Sequence, residues 1–206
     1  IISPSAALKV TELMYNPPDG KIFEFIELKN TTGFSVNLEG ITLSGVNFAF
    51  EEGTLAPWES GLLIPNDDPA AFIDKHPNAP ILGTYGGSLS NSGEEIQLID
   101  PDGQVIYSVN YSDEPPWPNE AGGNGSSLEL TKYLGNEHDP TNWRASLLPG
   151  GTPGDILFLS SELSYTGGRM AIRFLGLPGN MYSLHTSDDL ASGKWRKLKK
   201  NEFVTK

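Results

Sequence analysis

The sequence FEFIELKN, residues 23–30, carries the pattern that decides the fold class of this chain. Apolar and polar side chains alternate along it, as they do in a β-strand that buries one face. The alternation places Ile26 and Leu28 on one face of the strand. It places Glu27 and Lys29 on the opposite face. The stretch therefore predicts a strand whose apolar face, with Ile26 and Leu28, points into a core.

Short apolar runs of the same kind recur along the chain and are separated by glycine, proline, asparagine and aspartate. The sequence DPDG at residues 100–103 lies between two alternating runs and predicts a hairpin turn. Strands at intervals of about 8–12 residues with such turns between them predict an all-β protein with an immunoglobulin-like β-sandwich. The further runs lie at residues 8–13, 35–38, 41–43, 46–50, 61–65, 81–85, 95–99, 104–111 and 127–131.

One helix interrupts this pattern. Asp68 is a suitable N-cap and Pro69 a suitable first helical residue, so the spacing predicts a short helix over Ala70 to Lys75, stopped by Pro77. The alternation elsewhere predicts a set of core residues: Val10, Leu13, Ile26, Leu28, Leu38, Leu63, Ile96, Leu98, Val105, Val109, Leu128 and Leu130.

Composition and charge change after the sequence GGTPG at residues 150–154, which predicts a domain boundary. Residues 1–155 hold 22 acidic and 6 basic side chains, whereas residues 156–206 hold 4 acidic and 8 basic ones. We expect a β-sandwich over residues 1–154. We expect a small β segment over residues 155–206, which is short for an independent core. It would either pack on the first domain or be part of a truncated second β domain, and the start of the chain without methionine suggests a fragment.

The bulk composition restricts the classes of partner. The net charge of −12 disfavours binding to nucleic acid, and it suits a protein or a neutral polysaccharide as partner. The chain has no cysteine, which excludes disulfides and thiolate metal sites. It has no apolar run of the length that crosses a bilayer, so membrane insertion is not expected.

The sequence contains none of the common catalytic motifs, such as a nucleophile elbow, a phosphate loop or a His-Glu-x-x-His zinc motif. We therefore predict that the chain is not an enzyme. A hydrolase with a carboxylate pair is the enzymatic alternative. Glu24 and Glu27 fall on opposite faces of their strand, and Glu12 lies beside one or the other depending on the strand register.

Two loops are candidates for ligand binding. Asp67 and Asp68 are the candidate calcium ligands, although helix capping explains them equally well, so we expect no cofactor, with Ca²⁺ as the alternative. In the second loop, Asp113 and Glu114 precede Trp117, which is bordered by prolines. An exposed Trp117 would offer an aromatic face for sugar stacking, whereas a buried one would close the end of the sandwich.

Seven phrases follow one another in order over roughly residues 8–154: LMYNP (13–17), EFIELKN (24–30), VNLEG (36–40), LSNSGE (89–94), DEPPWP (113–118), GSSLEL (125–130) and GTPG (151–154). Together they resemble the lamin tail domain family in its bacterial extracellular branch. The resemblance implies an immunoglobulin-like sandwich that serves as a non-catalytic binding or structural accessory module of a larger secreted or cell-surface bacterial protein. Carbohydrate binding through Trp117 and calcium-dependent adhesion are the alternatives.

The animal members of that family contact proteins and DNA in the nucleus, but this chain lacks the basic surface that DNA contact needs. Near the C-terminus, the phrases GNMYSL (179–184) and SDDL (187–190), followed by Trp195, are similar to β repeats of large secreted bacterial proteins.

Overall fold

The structure is a computed structural model that describes residues 7–133, 135–154, 160–166, 169–175, 181–186 and 196–204. The chain divides into two compact units, Ile1–Ile156 and Leu157–Lys206. The strands of the first unit are β1 (Leu8–Met14), β2 (Phe25–Asn30), β3 (Val36–Asn37), β4 (Thr42–Leu43), β5 (Phe48–Ala49), β6 (Thr54–Leu55), β7 (Ser60–Pro65), β8 (Ile81–Tyr85), β9 (Gly93–Ile99), β10 (Val105–Ser112), β11 (Leu128–Leu130) and β12 (Trp143–Ala145).

Two sheets pack face to face in the first unit, as the all-β, immunoglobulin-like prediction requires. The larger sheet has the strand order β12-β11-β1-β2-β7-β8, and the smaller has the order β10-β9-β4-β5. All the pairings in these sheets are antiparallel except β7 with β8, which is parallel. The Tyr107 hydroxyl donates to the Val10 carbonyl across the core at 3.2 Å, which ties the two sheets together.

The core between the sheets contains all but one of the residues predicted for it. Ile26 and Leu28 are fully buried, which confirms the strand face assigned to them. Val105 is the exception, because 52% of its surface is exposed. The pairing of β9 with β10 shifts register between Val105 and Tyr107. Tyr107 and Val109 point into the core, but because of this shift Val105 does not share their face.

A second, smaller apolar cluster covers part of the outer face of the larger sheet. Helix α1 (Pro69–Lys75) lies there, with the Phe72 ring 6.2 Å from the Phe25 ring in an edge-on arrangement. The predicted helix is confirmed, and the Asp68 side chain caps it by accepting from the Ala71 amide at 3.1 Å. Three short 3-10 turns, at Lys21–Phe23, Asn119–Ala121 and Pro140–Asn142, were not predicted.

The second unit is described by its strands alone. Strands β13 (Ser160–Thr166) and β14 (Arg169–Leu175) pair antiparallel, and so do β15 (Met181–Thr186) and β16 (Arg196–Val204). The phrase at residues 187–190 and Trp195 lie outside the described residues.

Candidate functional site: a buried glutamate cluster

The loop that follows β10 does not present an aromatic platform. Trp117 keeps 8% of its surface exposed, belongs to the main core and packs with its ring 5.9 Å from that of Trp143. Of the two interpretations of Trp117, the buried one agrees with the structure, because the indole face that a sugar would need is covered by protein. Asp113 is half-buried and Glu114 is exposed beside it, and their role in ligand binding stays a prediction.

The two aspartates proposed as calcium ligands each have a local partner. Asp67 forms an ion pair with Lys21 at 2.9 Å, and the Asp68 carboxylate is the cap of α1. Within the part of the chain that the structure describes, no group of three or more His, Cys, Asp or Glu side chains is arranged to hold a metal ion. The acidic loop is thus explained by helix capping and pairing.

The carboxylates that do converge lie on the outer face of the larger sheet. Glu12 on β1 is directly opposite Glu27 on β2, and it is also opposite Glu129 on β11. Three adjacent strands thus place three glutamates in one row; we call Glu12, Glu27 and Glu129 the glutamate cluster. A bulge between Val10 and Glu12 turns Glu12 to this face while Leu13 points into the core.

The cluster is covered by residues 151–154, which we call the clasp segment. The Thr152 amide donates to Glu12 Oε1 at 2.8 Å, and its hydroxyl lies 2.9 Å from Glu12 Oε2 and 3.2 Å from Glu129 Oε1. The Gly154 amide donates to Glu27 Oε2 at 3.1 Å. These bonds tie the clasp segment to three neighbouring strands.

The glycine at the start of the clasp segment is needed for this close approach. Gly151 has φ +75°, in the left-handed region that favours glycine. A Cβ atom at this position would collide with Glu12 Oε1 and crowd the Ser127 hydroxyl. The phrase GTPG therefore has a structural reason: its first glycine lets the backbone lie against the buried Glu12 carboxyl.

Two cations accompany the cluster. Arg144 on β12 binds Glu129 Oε2 through Nε at 2.7 Å and Nη2 at 2.6 Å. Lys29, two residues after Glu27 on the same face of β2, donates to the Trp58 carbonyl and to Ser60 Oγ, each at 3.1 Å. Its charge attracts that of Glu27.

Burial dominates the electrostatics of the cluster. Loss of water, and then the neighbouring charge of Glu27, raise the pKa of Glu12 from 4.5 to about 8. Burial also raises the pKa of Glu27, against the hydrogen bond from Thr11 and the charge of Lys29. Burial lowers the pKa of Lys29. The site thus favours a neutral carboxyl at Glu12.

A separate buried carboxyl, that of Glu24, lies beside the main core, to which both of its hydrogen-bond donors belong. Glu24 Oε2 accepts from the Leu89 amide at 2.9 Å and from the Tyr85 hydroxyl at 3.1 Å. Burial raises the pKa of Glu24 to about 7 in spite of these bonds. Its pKa is therefore close to that of Glu12, so Glu24 matters for the interpretation of pH experiments.

The geometry of the cluster suits a structural role better than hydrolysis. Glu12 and Glu27 are 3% and 7% exposed, so a polymer substrate has no path to the pair. The sequence predicted that Glu12 lies beside either Glu24 or Glu27, depending on the strand register, and the structure pairs it with Glu27. The prediction missed Glu129 and Thr152, although both lie in phrases that contribute to the family resemblance, GSSLEL and GTPG.

The fold and the site define a class: an immunoglobulin-like β-sandwich module whose terminal segment is hydrogen-bonded to its larger sheet. The family model described as Lamin Tail Domain matches residues 2–113, which is more than half of the chain. The chain belongs to the lamin tail domain family. The match ends before β11 and β12, which complete the larger sheet and carry Glu129 and Arg144.

No curated protein matches the chain, and no solved structure does. Among the described residues, no helix is both long and apolar enough to cross a membrane.

Proposed function

We propose that this chain is a non-catalytic structural and binding module of a larger secreted or cell-surface bacterial protein. In this role the sandwich gives neighbouring parts of the protein a fixed point of attachment. Membership of a family of non-catalytic, immunoglobulin-like domains supports the proposal. The resemblance of the sequence phrases to the bacterial extracellular branch supports the location.

The observation that carries the proposal is the attachment of the clasp segment. The backbone amides of Thr152 and Gly154 are bonded to Glu12 and Glu27 on the two central strands of the sheet. The chain therefore leaves the sandwich through a segment that is hydrogen-bonded to the larger sheet. A module that orients its neighbours needs such a rigid exit, because a flexible one would allow every orientation.

Partners would meet the loops and outer surface of an acidic domain. The charge of −12 favours a protein surface with basic groups or a neutral polysaccharide, and it disfavours nucleic acid. A rigid sandwich with variable loops is a common basis for such contacts.

Spin labelling tests the rigid exit directly, because the chain has no cysteine of its own. Cysteines would replace Asp102, which is exposed in the β9–β10 turn, and Leu148, which is 53% exposed just before the clasp segment. We expect pulsed electron resonance on the full chain to give one narrow distance distribution.

A broad distribution for this pair would contradict the proposal. The matched control pairs Asp102 with Glu95, an exposed residue on β9 of the same sheet, and sets the width expected for two rigidly connected positions. The proposal fails when the Asp102–Leu148 distribution is clearly wider than that of the control.

A further inference from the structure

The contacts of Thr152 Oγ require a proton on one of two glutamates. This oxygen lies within hydrogen-bonding distance of Glu12 Oε2 and of Glu129 Oε1. A hydroxyl group has one proton to donate, whereas an ionised carboxylate can only accept. With both glutamates ionised, one of the two contacts would bring two lone pairs together in a buried site. A proton on one carboxyl removes this conflict, because that carboxyl then donates to Thr152 Oγ.

The surroundings of the two carboxyls indicate which one holds the proton. Glu129 accepts a hydrogen bond from Arg144 Nε and forms an ion pair with Nη2, and a guanidinium partner of this kind suits a carboxylate. Glu12 forms no ion pair among the described residues. Its Oε1 accepts from Ser127 Oγ at 2.5 Å and from the Thr152 amide, so Oε2 is the atom that carries the proton.

The charge balance of the site leads to the same assignment. Among the described residues, the charges that act on Glu12 are those of Glu27 on β2 and Glu129 on β11. These two are accompanied by Lys29 and Arg144, and Lys75 and His76 at the end of α1 line a pocket on the other side of the clasp segment. Three carboxylates against two cations would leave an uncompensated negative charge in a buried place, which costs free energy. One proton on Glu12 makes the group neutral.

We propose that Glu12 holds a proton in the folded protein, that this proton fastens the clasp segment to the sheet, and that its loss in alkaline solution releases the segment. The hydrogen bonds then run in one direction, from Glu12 Oε2 to Thr152 Oγ and from there to Glu129 Oε1. The glutamate cluster and the clasp segment together form a pH-sensitive latch at the point where the chain leaves the sandwich.

The sign of the pH effect follows from the two states of Glu12. Its pKa is about 8 in the folded chain and 4.5 when the group is free. Between these values the folded protein binds a proton that the unfolded chain does not, so stability falls as pH rises. The contribution is complete below pH 4.5 and is lost as pH rises through about 8. The folding equilibrium changes by at most about tenfold per pH unit for one such group.

Hydrogen exchange on the full chain, read by mass spectrometry, tests the latch. We would compare the peptide that spans residues 148–154 at about pH 6 and about pH 9.5, on either side of the Glu12 pKa, after correction for the intrinsic pH dependence of exchange. We expect protection of this peptide to fall at the higher pH, and to fall by more than that of β9, which can change only as far as the stability of the whole domain changes. Unchanged protection of the clasp peptide in the wild type overturns the proposal without the need for any variant.

The variant Glu12→Gln separates the proton from the shape of the side chain. Its amide nitrogen can donate to Thr152 Oγ at every pH, and its oxygen can accept from Ser127 Oγ and the Thr152 amide. We expect E12Q to keep the clasp protected at both pH values. The infrared difference between wild type and E12Q at about pH 6 should contain the C=O band of a protonated carboxyl. Absence of that band overturns the assignment.

The matched control is Glu24→Gln, because the Glu24 pKa of about 7 makes this buried carboxyl titrate in the same range. We expect E24Q to leave the pH response of the clasp peptide intact. If E24Q abolishes that response and E12Q does not, the proton belongs to Glu24 and the proposal is wrong.

Discussion

The hydroxyl oxygen of Thr152 lies 2.9 Å from Oε2 of Glu12, although 140 positions separate the two residues along the chain. This contact joins the first strand of the sandwich to the clasp segment. Contacts between such distant parts of a chain close a domain, because neither end can leave without breaking the other's hydrogen bonds. The family match covers Glu12 but ends at residue 113. Thr152, the second residue of this contact, therefore lies in the part of the domain beyond the match.

Replacing Thr152 by valine should loosen the clasp segment. Valine has a similar shape but no hydroxyl, so Glu12 and Glu129 would share no bridging group. We expect the free energy of unfolding to fall by about 1–3 kcal/mol, the usual cost of leaving a buried polar group unsatisfied. Denaturant unfolding at neutral pH measures this. Thr84→Val is the control, because Thr84 is exposed on β8; equal effects of the two changes would contradict the role of the hydroxyl.

The face assignment of β2 gives a second prediction. Ile26→Ala or Leu28→Ala should lower the free energy of unfolding by about 2–5 kcal/mol, since each leaves a cavity between the sheets. Val105→Ala is the matched control, and it should have an effect of less than about 0.5 kcal/mol because Val105 is exposed. Denaturant unfolding of the three variants measures these changes, since a shifted midpoint with an unchanged m-value reports a change in the free energy of unfolding. A large effect of V105A would mean that the register shift in β10 is wrongly placed.

Trp117 is expected to behave as a core residue. Trp117→Ala should destabilise the sandwich by about 3–5 kcal/mol, because it removes the ring that packs against Trp143. Leu147→Ala, at a residue that is 61% exposed, should change stability little. Thermal melting and affinity electrophoresis in polysaccharide gels would be run together. Loss of polysaccharide retention with full stability would restore the sugar-stacking hypothesis.

Calcium should not stabilise the chain. A site saturated at 100-fold above its dissociation constant would contribute about 2.7 kcal/mol and raise the melting midpoint by roughly 5–10 °C. We expect midpoints in chelator and in excess calcium to coincide, because Asp67 pairs with Lys21 and Asp68 caps α1. A rise of several degrees that disappears in Asp67→Asn would establish a calcium site at this loop.

The cap of α1 can be tested on its own. Asp68→Ala removes the acceptor of the Ala71 amide and should lower the free energy of unfolding by about 1 kcal/mol. Asp74→Ala is a fair control, because Asp74 is an exposed residue of the same helix. Equal losses for the two variants would show that helix charge and not capping is measured.

Local chemistry explains why much of the fold was predictable. The helix began at an aspartate followed by proline, and the hairpin at residues 100–103 carried its own turn residues, so neighbours in sequence decided both. The wrong prediction for Val105 and the burial of Trp117, which the sequence left open, have causes that are not local. A bulge interrupted the alternation in one case, and contact with a tryptophan from a later strand buried the other.

The sequence by itself determined the fold class, the helix and the face on which Glu27 lies, because alternation and capping act over a few neighbouring residues. Only the tertiary structure decided that Glu12, Glu27 and Glu129 meet, and that the clasp segment covers them. Strand register is set by pairing between distant segments, and a shift of one residue would turn Glu12 into the core. The proton that we place on Glu12 therefore depends on long-range packing, which removes water from a side chain that would ionise readily on its own.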